Sequence, residues 1–148
     1  MAKIHQNIKN SRIDRLHKIS NIVTNENQVV AIEDLNVKGM VKNHNLAKSI
    51  QDASWHELVR QLDYKSKWKN RSLIKIDRFF PSSKTCNNCG FVNKDLQLKQ
   101  RQWICPNCNT VLNRDINAAK NILQQALLAN DNKIADGIAV KSLGSCQH

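Results

Sequence analysis

An α/β fold interrupted by a small metal-binding insert is what this sequence predicts, and three features carry the prediction. Amphipathic helical periods alternate with short β-branched runs. Two Cys-x-x-Cys pairs stand between the last such run and the last helix. Lysine and arginine number 23 against 12 aspartate and glutamate, a formal net charge of +11 over 148 residues.

The elements follow in order. Ile4, Ile8, Ile13, Leu16, Ile19 and Val23 recur at three- and four-residue steps and predict a helix with its lysines and arginines on the other side. "NEN" (Asn25–Asn27) ends it. "QVVAI" reads as a strand buried on both faces, closing on Glu33 and Asp34. Residues 36–47 read as a loop. A second helix is expected from Ser49 to about Lys67, with Ile50, Ala53, Leu58 and Leu62 on one face. "SLIKIDRFF" (Ser72–Phe80) is a second strand, stopped by Pro81. After the cysteines, "DINAAKNILQQALLAN" predicts a helix with Ile116, Ala119, Leu123 and Leu127 inward. The tail from Asp131 is expected to be frayed. So few strands would leave the edge of "QVVAI" unpaired.

Cys86, Cys89, Cys105 and Cys108 have the spacing of a four-cysteine structural zinc site, with fifteen residues between the pairs. Each pair can form a tight knuckle offering two thiolates to one tetrahedral Zn2+. Gly90 and Asn109 follow the two pairs, where such a knuckle needs positive φ, and both residue types tolerate it. Between the pairs, "KDLQLKQRQWI" can form the hairpin of a zinc ribbon, with Trp103 and Phe91 as its core. Four thiolates leave no open coordination position, so a zinc there is structural rather than catalytic. Two disulfides are the alternative, disfavoured in a chain without secretion signals. Cys146 stands alone near the C-terminus.

No stretch approaches the roughly 18 apolar residues of a membrane span, and the first residues lack the apolar run of a signal peptide. A cytoplasmic protein is expected. The positive charge favours a polyanionic partner through phosphate contacts and counterion release. Residues 60–84 concentrate it, with eight Lys or Arg against two Asp and with Tyr64 and Trp68 interleaved. That mix suits backbone contact plus base stacking, and a solvated helix face is the plainer reading. Lys65, Lys67, Trp68, Lys69, Arg71 and Arg114 are the candidate nucleic-acid contacts.

Two carboxylates stand where ligand sites gather. Glu33 closes a strand, and sites in open α/β sheets lie beyond the carboxyl ends of strands. Asp115 opens the helix after the cysteines, where the helix macrodipole alone also favours an acid.

"VVAIEDLNVKGM", "KIDRFFPSSKTCNNCG" and "CPNCNTVLNRDINAAKNIL", in that order, resemble the C-terminal half of the TnpB (OrfB) proteins encoded by bacterial insertion sequences. They are also similar to the matching part of miniature type V CRISPR effectors. The likeness runs from about residue 3 to residue 125. It implies a partial RNase H-like (RuvC) domain interrupted by a four-cysteine zinc ribbon, in a family that cleaves DNA with metal ions held by three carboxylates. By that resemblance Glu33 matches the second acid and Asp115 the third, and the four cysteines match the zinc ligands. Asn113 departs from the Asp that many relatives carry. Mg2+ is the catalytic cofactor the resemblance implies, bound by few carboxylates plus substrate phosphates. DNA and guide RNA are the implied partners.

The layout this implies is a partial RuvC-like domain over residues 1–80, a zinc ribbon over 81–112, a final helix with Asp115 over 113–130 and a tail over 131–148. The first acid of the family lies in an Asp-x-Gly strand for which the sequence offers no candidate, since Asp14 lies within a helix. The expectation is a truncated or split transposase-associated nuclease, impaired in cleavage unless a missing N-terminal half acts in trans. A non-catalytic nucleic-acid-binding zinc-ribbon remnant is the alternative.

Overall fold

The computed structural model describes residues 2–42, 44–97 and 99–135. It divides between Arg78 and Phe79 into two units.

In the first unit, helix α1 spans Ala2–Glu26 and strand β1 Val29–Glu33. Two helices occupy the expected loop: α2 (Val37–Met40), capped by the Asn36 side chain accepting from the Gly39 amide, and α3 (His44–Ala53). The short turn of α2 forms where Asn36 satisfies the Gly39 amide. The expected second helix is therefore two helices. Ser54, at φ 49°, separates α3 from α4 (Trp55–Trp68). Strand β2, Ser72–Ile76, stops short of Phe80.

β1 and β2 pair in parallel, Val29 opposite Ser72 and Glu33 opposite Ile76. One edge of β1 is thus paired among the described residues. Burial along β1 alternates, with Val30 and Ile32 buried and Val29, Ala31 and Glu33 half-buried. This corrects the expectation of two buried faces: one face packs on Leu62, Leu58 and Val59 of α4 and on Val23 of α1.

The α1–α4 seam differs most from the expected apolar stripe. Ile4, Ile8 and Ile19 are exposed, and the buried face runs through Leu16, Ser20 and Thr24 at four-residue steps. The period is right, but much of the seam is polar. Ser20 Oγ donates to the Leu16 carbonyl (2.7 Å) and lies 3.0 Å from Gln61 Oε1. Lys65 Nζ donates to Ser20 Oγ (2.7 Å) and to the His17 carbonyl (2.9 Å). These bonds satisfy groups that burial would otherwise penalise.

α4 ends in a Schellman motif. Asn70 takes the left-handed conformation (φ 52°), the Asn70 amide donates to the Lys67 carbonyl, and the Arg71 amide to the Ser66 carbonyl.

The second unit holds the cysteines. Strands β3 (Gln102–Ile104) and β4 (Val111–Asn113) pair antiparallel across the second cysteine knuckle. The expected hairpin between the two pairs is thus displaced towards the C-terminus. Residues 94–97 and 99–101 form turns and irregular chain instead of extended strand, with Asn93 Oδ1 accepting from the Asp95 amide. The ribbon's core is Trp103 with Leu96, Cys86 and Cys105, whereas Phe91 is exposed.

Helix α5 runs Arg114–Ala135, beyond the expected end near Asn130. Ile116, Ala119, Leu123 and Leu127, expected inward, are exposed. Its buried residues are Asn117, Asn121 and Ala126, because this face meets backbone polar groups of the ribbon rather than an apolar layer. The rest of the expected tail, Cys146 included, lies outside the described residues. No helix among the described residues is long and apolar enough to cross a membrane.

Candidate metal centre

The two knuckles repeat one geometry. In the first, the Gly90 amide donates to the Cys86 carbonyl and the Cys86 amide to the Phe91 carbonyl, both at 2.8 Å. In the second, the Asn109 amide donates to the Cys105 carbonyl (2.9 Å) and the Cys105 amide to the Thr110 carbonyl (3.0 Å). Gly90 (φ 76°) and Asn109 (φ 55°) take the left-handed turn that each knuckle requires.

The knuckles bring four free thiols together, every pair of ligand sulfurs lying within 4.8 Å. Cys86 and Cys108 Sγ are 3.7 Å apart, and Cys89 and Cys105 Sγ 3.6 Å. A tetrahedral ion at a metal–sulfur distance of about 2.3 Å has an edge of about 3.8 Å. The donor set and these two edges fit such an ion, so Cys86, Cys89, Cys105 and Cys108 can hold a metal ion.

The thiols differ in environment. Burial pushes the Cys86 thiol up to about 12. Cys108 is drawn down to about 5, chiefly by the Thr110 hydroxyl, then by the Thr110 amide and the Asn88 side chain. Cys89 is lowered, first by Asn107 and then by the Phe91 amide. A cation is what would stabilise the buried Cys86 as a thiolate.

Three asparagines join this centre to α5. Asn113 Oδ1 accepts from the Asp115 amide (3.0 Å) and the Ile116 amide (3.1 Å), capping the helix. Asn117 Oδ1 accepts from the Asn87 amide (2.9 Å), and its Nδ2 donates to the Thr85 carbonyl (2.7 Å). Asn121 Nδ2 donates to the carbonyls of Ser82 (2.8 Å) and Thr85 (2.7 Å). Sequence reasoning missed Asn117 and Asn121. Their signal was two asparagines at i and i+4 within an otherwise Ala- and Leu-rich helix.

Of the candidate carboxylates, Asp115 lies in the first turn of α5, exposed, with Oδ2 3.4 Å from Arg101 Nη1. Glu33 belongs to the first unit, half-buried at the end of β1. It lines a cavity of about 270 Å³ with Lys38, Trp55, His56 and Lys75. Beside it, Asp34 pairs with Arg78, whose hydrogen bond and charge lower the Asp34 carboxyl.

The candidate nucleic-acid residues divide. Lys65 is a correction: only 4% exposed, it serves the α1–α4 seam, and burial followed by the Lys69 charge lowers its ammonium. Lys69 Nζ donates to Thr24 Oγ1 (2.8 Å), and Arg71 bonds the Gln28 side chain, so both also face α1 and its exit. Arg114 is half-buried, with Nη1 donating to the Gln97 carbonyl (3.0 Å). Lys67 is exposed and pairs with Asp63 at 2.7 Å. Trp68 is 79% exposed.

Residues 55–122 match the family described as Cas12f1-like, TNB domain. A Streptomyces pristinaespiralis protein named "Putative RNA-guided DNA endonuclease" is 48% identical over 138 residues, 93% of this chain and 34% of that protein. The chain is of the TnpB type. The Escherichia coli protein named "Putative RNA-guided DNA endonuclease InsQ" is 31% identical to this TnpB-type chain over 158 residues. That match covers 95% of the chain and 39% of the relative. The chain thus spans well under half the length of these two curated relatives. Its fold is similar to that of a chain in a cryo-EM structure of a Cas12f1-sgRNA-target DNA complex, at a TM-score of 0.64 and 20% identity. That likeness covers 82% of this chain and 36% of the other.

Proposed function

We propose that this TnpB-type chain supplies the RuvC-like and zinc-ribbon portion of a transposon-encoded, RNA-guided DNA endonuclease. The observation that supports it best is the joining of the four-thiol centre to the start of α5. Asn113, Asn117 and Asn121 connect the knuckles to the helix that presents Asp115. Zn2+ is the ion that four thiolates at this spacing suit, and its role is structural. In this reading the first unit is part of an RNase H-like domain, with Glu33 at the carboxyl end of a parallel strand.

Glu33 in the first unit and Asp115 in the second are each a candidate carboxylate for Mg2+. When bound, Mg2+ would offset charge on a phosphodiester and lower the pKa of a water. Glu33 sits in a cavity with His56 and Lys75, which can face a phosphate. These residues offer two of the three carboxylates the chemistry uses, so the chain by itself is expected to bind DNA and to cleave it poorly. Guide RNA and a third carboxylate would come from elsewhere, in trans where necessary.

The test uses the purified chain. DNA binding that weakens steeply with salt, with any Mg2+-dependent nicking lost in Glu33→Gln and in Asp115→Asn, supports the proposal. Salt-dependent binding with nicking that survives both substitutions removes the carboxylates from the reading and leaves a nucleic-acid-binding zinc ribbon. Absence of DNA binding at low salt overturns the proposal.

A further inference from the structure

α4 carries one face that the packing of the first unit does not use. Its buried residues are Gln61, Leu62, Lys65 and Ser66. Arg60, Tyr64 and Trp68 follow one another at i, i+4 and i+8, so they lie along a single stripe beside that buried arc.

The stripe is a connected stack. Glu57 receives Arg60 in a two-point grip, Nε to Oε2 at 2.8 Å and Nη2 to Oε1 at 2.7 Å. So held, the Arg60 guanidinium lies over the Tyr64 ring, 5.5 Å from its centroid. The Tyr64 ring in turn meets Trp68 edge to face, centroids 4.7 Å apart at 63°. Trp68 is the last residue of α4, and the Schellman turn through Asn70 and Arg71 fixes its backbone. The most exposed member of the stack is thus an indole held from below and from behind.

An indole 79% exposed gains little from the unit's own packing. A flat π-face presented beside the exposed Lys67, on a chain of net charge +11, matches an unstacked base joined to phosphates. In a duplex each base face is already stacked on its neighbours, so the ring could add little there.

We propose that the Arg60–Tyr64–Trp68 stripe is a stacking platform for single-stranded DNA. This rests on the nucleic-acid reading above and deepens it: the stripe selects an unpaired strand over a duplex. Trp68 stacks on a base, the exposed Lys67 neutralises an adjacent phosphate, and Tyr64 and Arg60 keep the indole in place. A preformed platform loses little side-chain freedom on binding.

The experiment is fluorescence anisotropy of the full chain with a labelled oligothymidylate of about 15 nucleotides, a length within the site sizes of single-strand platforms. A duplex and an oligouridylate of the same length are measured in parallel. Trp68→Ala is expected to weaken oligothymidylate binding by about tenfold. Trp68→Phe should keep most of the affinity, and duplex binding should change less than twofold in either variant. Far-UV circular dichroism checks that the exposed substitution leaves the fold intact.

Unchanged single-strand binding in Trp68→Ala overturns the proposal. So does an equal loss for duplex and single strand, which would make the residue a structural support. Tighter binding of the oligouridylate than of the oligothymidylate overturns the assignment to DNA. A wild-type chain that binds only duplex overturns the platform as well, while leaving the nuclease reading to the Glu33→Gln and Asp115→Asn results.

Discussion

The side-chain amide of Asn117 takes the backbone N–H of Asn87 at 2.9 Å while giving its own proton to the Thr85 carbonyl at 2.7 Å. One amide thereby holds the backbone on both sides of Cys86, itself buried. Few side chains offer both a donor and an acceptor at this reach, and asparagine is one.

Asn117→Ala should lower the affinity of the ribbon for its metal by roughly 10- to 100-fold, the usual effect of removing a group that orients a ligand. Asn117→Asp keeps the acceptor for Asn87 and loses the donor to Thr85, so it should also weaken binding. Competition with a chromophoric chelator measures both. An affinity unchanged in Asn117→Ala would show that Asn121 and the knuckle's own hydrogen bonds suffice.

These asparagines also mark where the sequence stopped being legible. The cysteine spacing and the left-handed turns at Gly90 and Asn109 are local properties, written in a few neighbouring residues. α1, α4, α5 and both first-unit strands were likewise legible from local pattern, whereas α2 and the start of α3 had read as a loop. Which face of a helix is buried was not, because α1 and α5 bury polar residues. Ser20 and Thr24 meet α4, and Asn117 and Asn121 meet the ribbon. Hydropathy assigns such residues to solvent, and only the partner's position shows that they are satisfied inside. Lys65 misled for the same reason, since one more lysine in a basic run carries no sign that its neighbours enclose it.

Removing the metal should separate the two units' behaviour. Trp103 packs with Cys86, Cys105 and Leu96 and is the tryptophan of the second unit. Chelation should therefore red-shift its emission, while α1 and α4 retain most of the helical signal. Cys105→Ser should show the same ribbon loss without chelator. Elemental analysis should find one zinc per chain in the wild type and a large loss in the variant.

Asn113 caps α5 through the Asp115 and Ile116 amides. Aspartate caps about as well as asparagine and adds charge favourable to a helix N-terminus. Asn113→Asp should thus be neutral or slightly stabilising, and Asn113→Ala should cost about 1 kcal/mol. Thermal or urea unfolding distinguishes the two. Equal losses would mean that the ribbon, not the cap, fixes the start of the helix.

Lys65 and Lys67 are two residues apart and should respond in opposite ways. Lys65 Nζ serves Ser20 and the His17 carbonyl within the seam. Lys65→Ala should therefore destabilise the first unit by about 2 kcal/mol. Lys67 is exposed beside Asp63. Lys67→Ala should leave stability within about 0.5 kcal/mol and lower the salt dependence of DNA binding by about one phosphate contact. If Lys65→Met bound DNA more weakly while remaining folded, the seam would not be its main role.

The grip of Glu57 on Arg60 should make the stability of α4 depend on pH. The hydrogen bond from Arg60, then that from Gln61, and behind them the Arg60 charge lower the Glu57 carboxyl from 4.5 to about 2. A carboxyl lowered by folding contributes stability that is complete above its unfolded value and lost as pH falls through its folded value. The contribution should therefore be whole at neutral pH, decline below about pH 4.5 and vanish near pH 2. Glu57→Gln should cost about 1 kcal/mol at pH 7, a figure set by the partly solvated pair rather than by the full shift. The difference between the two proteins should close as the pH approaches 2. Because Glu57 also seats Arg60 over Tyr64, the substitution should loosen the aromatic stack, read as a change in Trp68 emission. A stability difference that stays constant down to pH 2 would show that the hydrogen bond to Gln61, rather than the charge on Glu57, is what stabilises this end of α4.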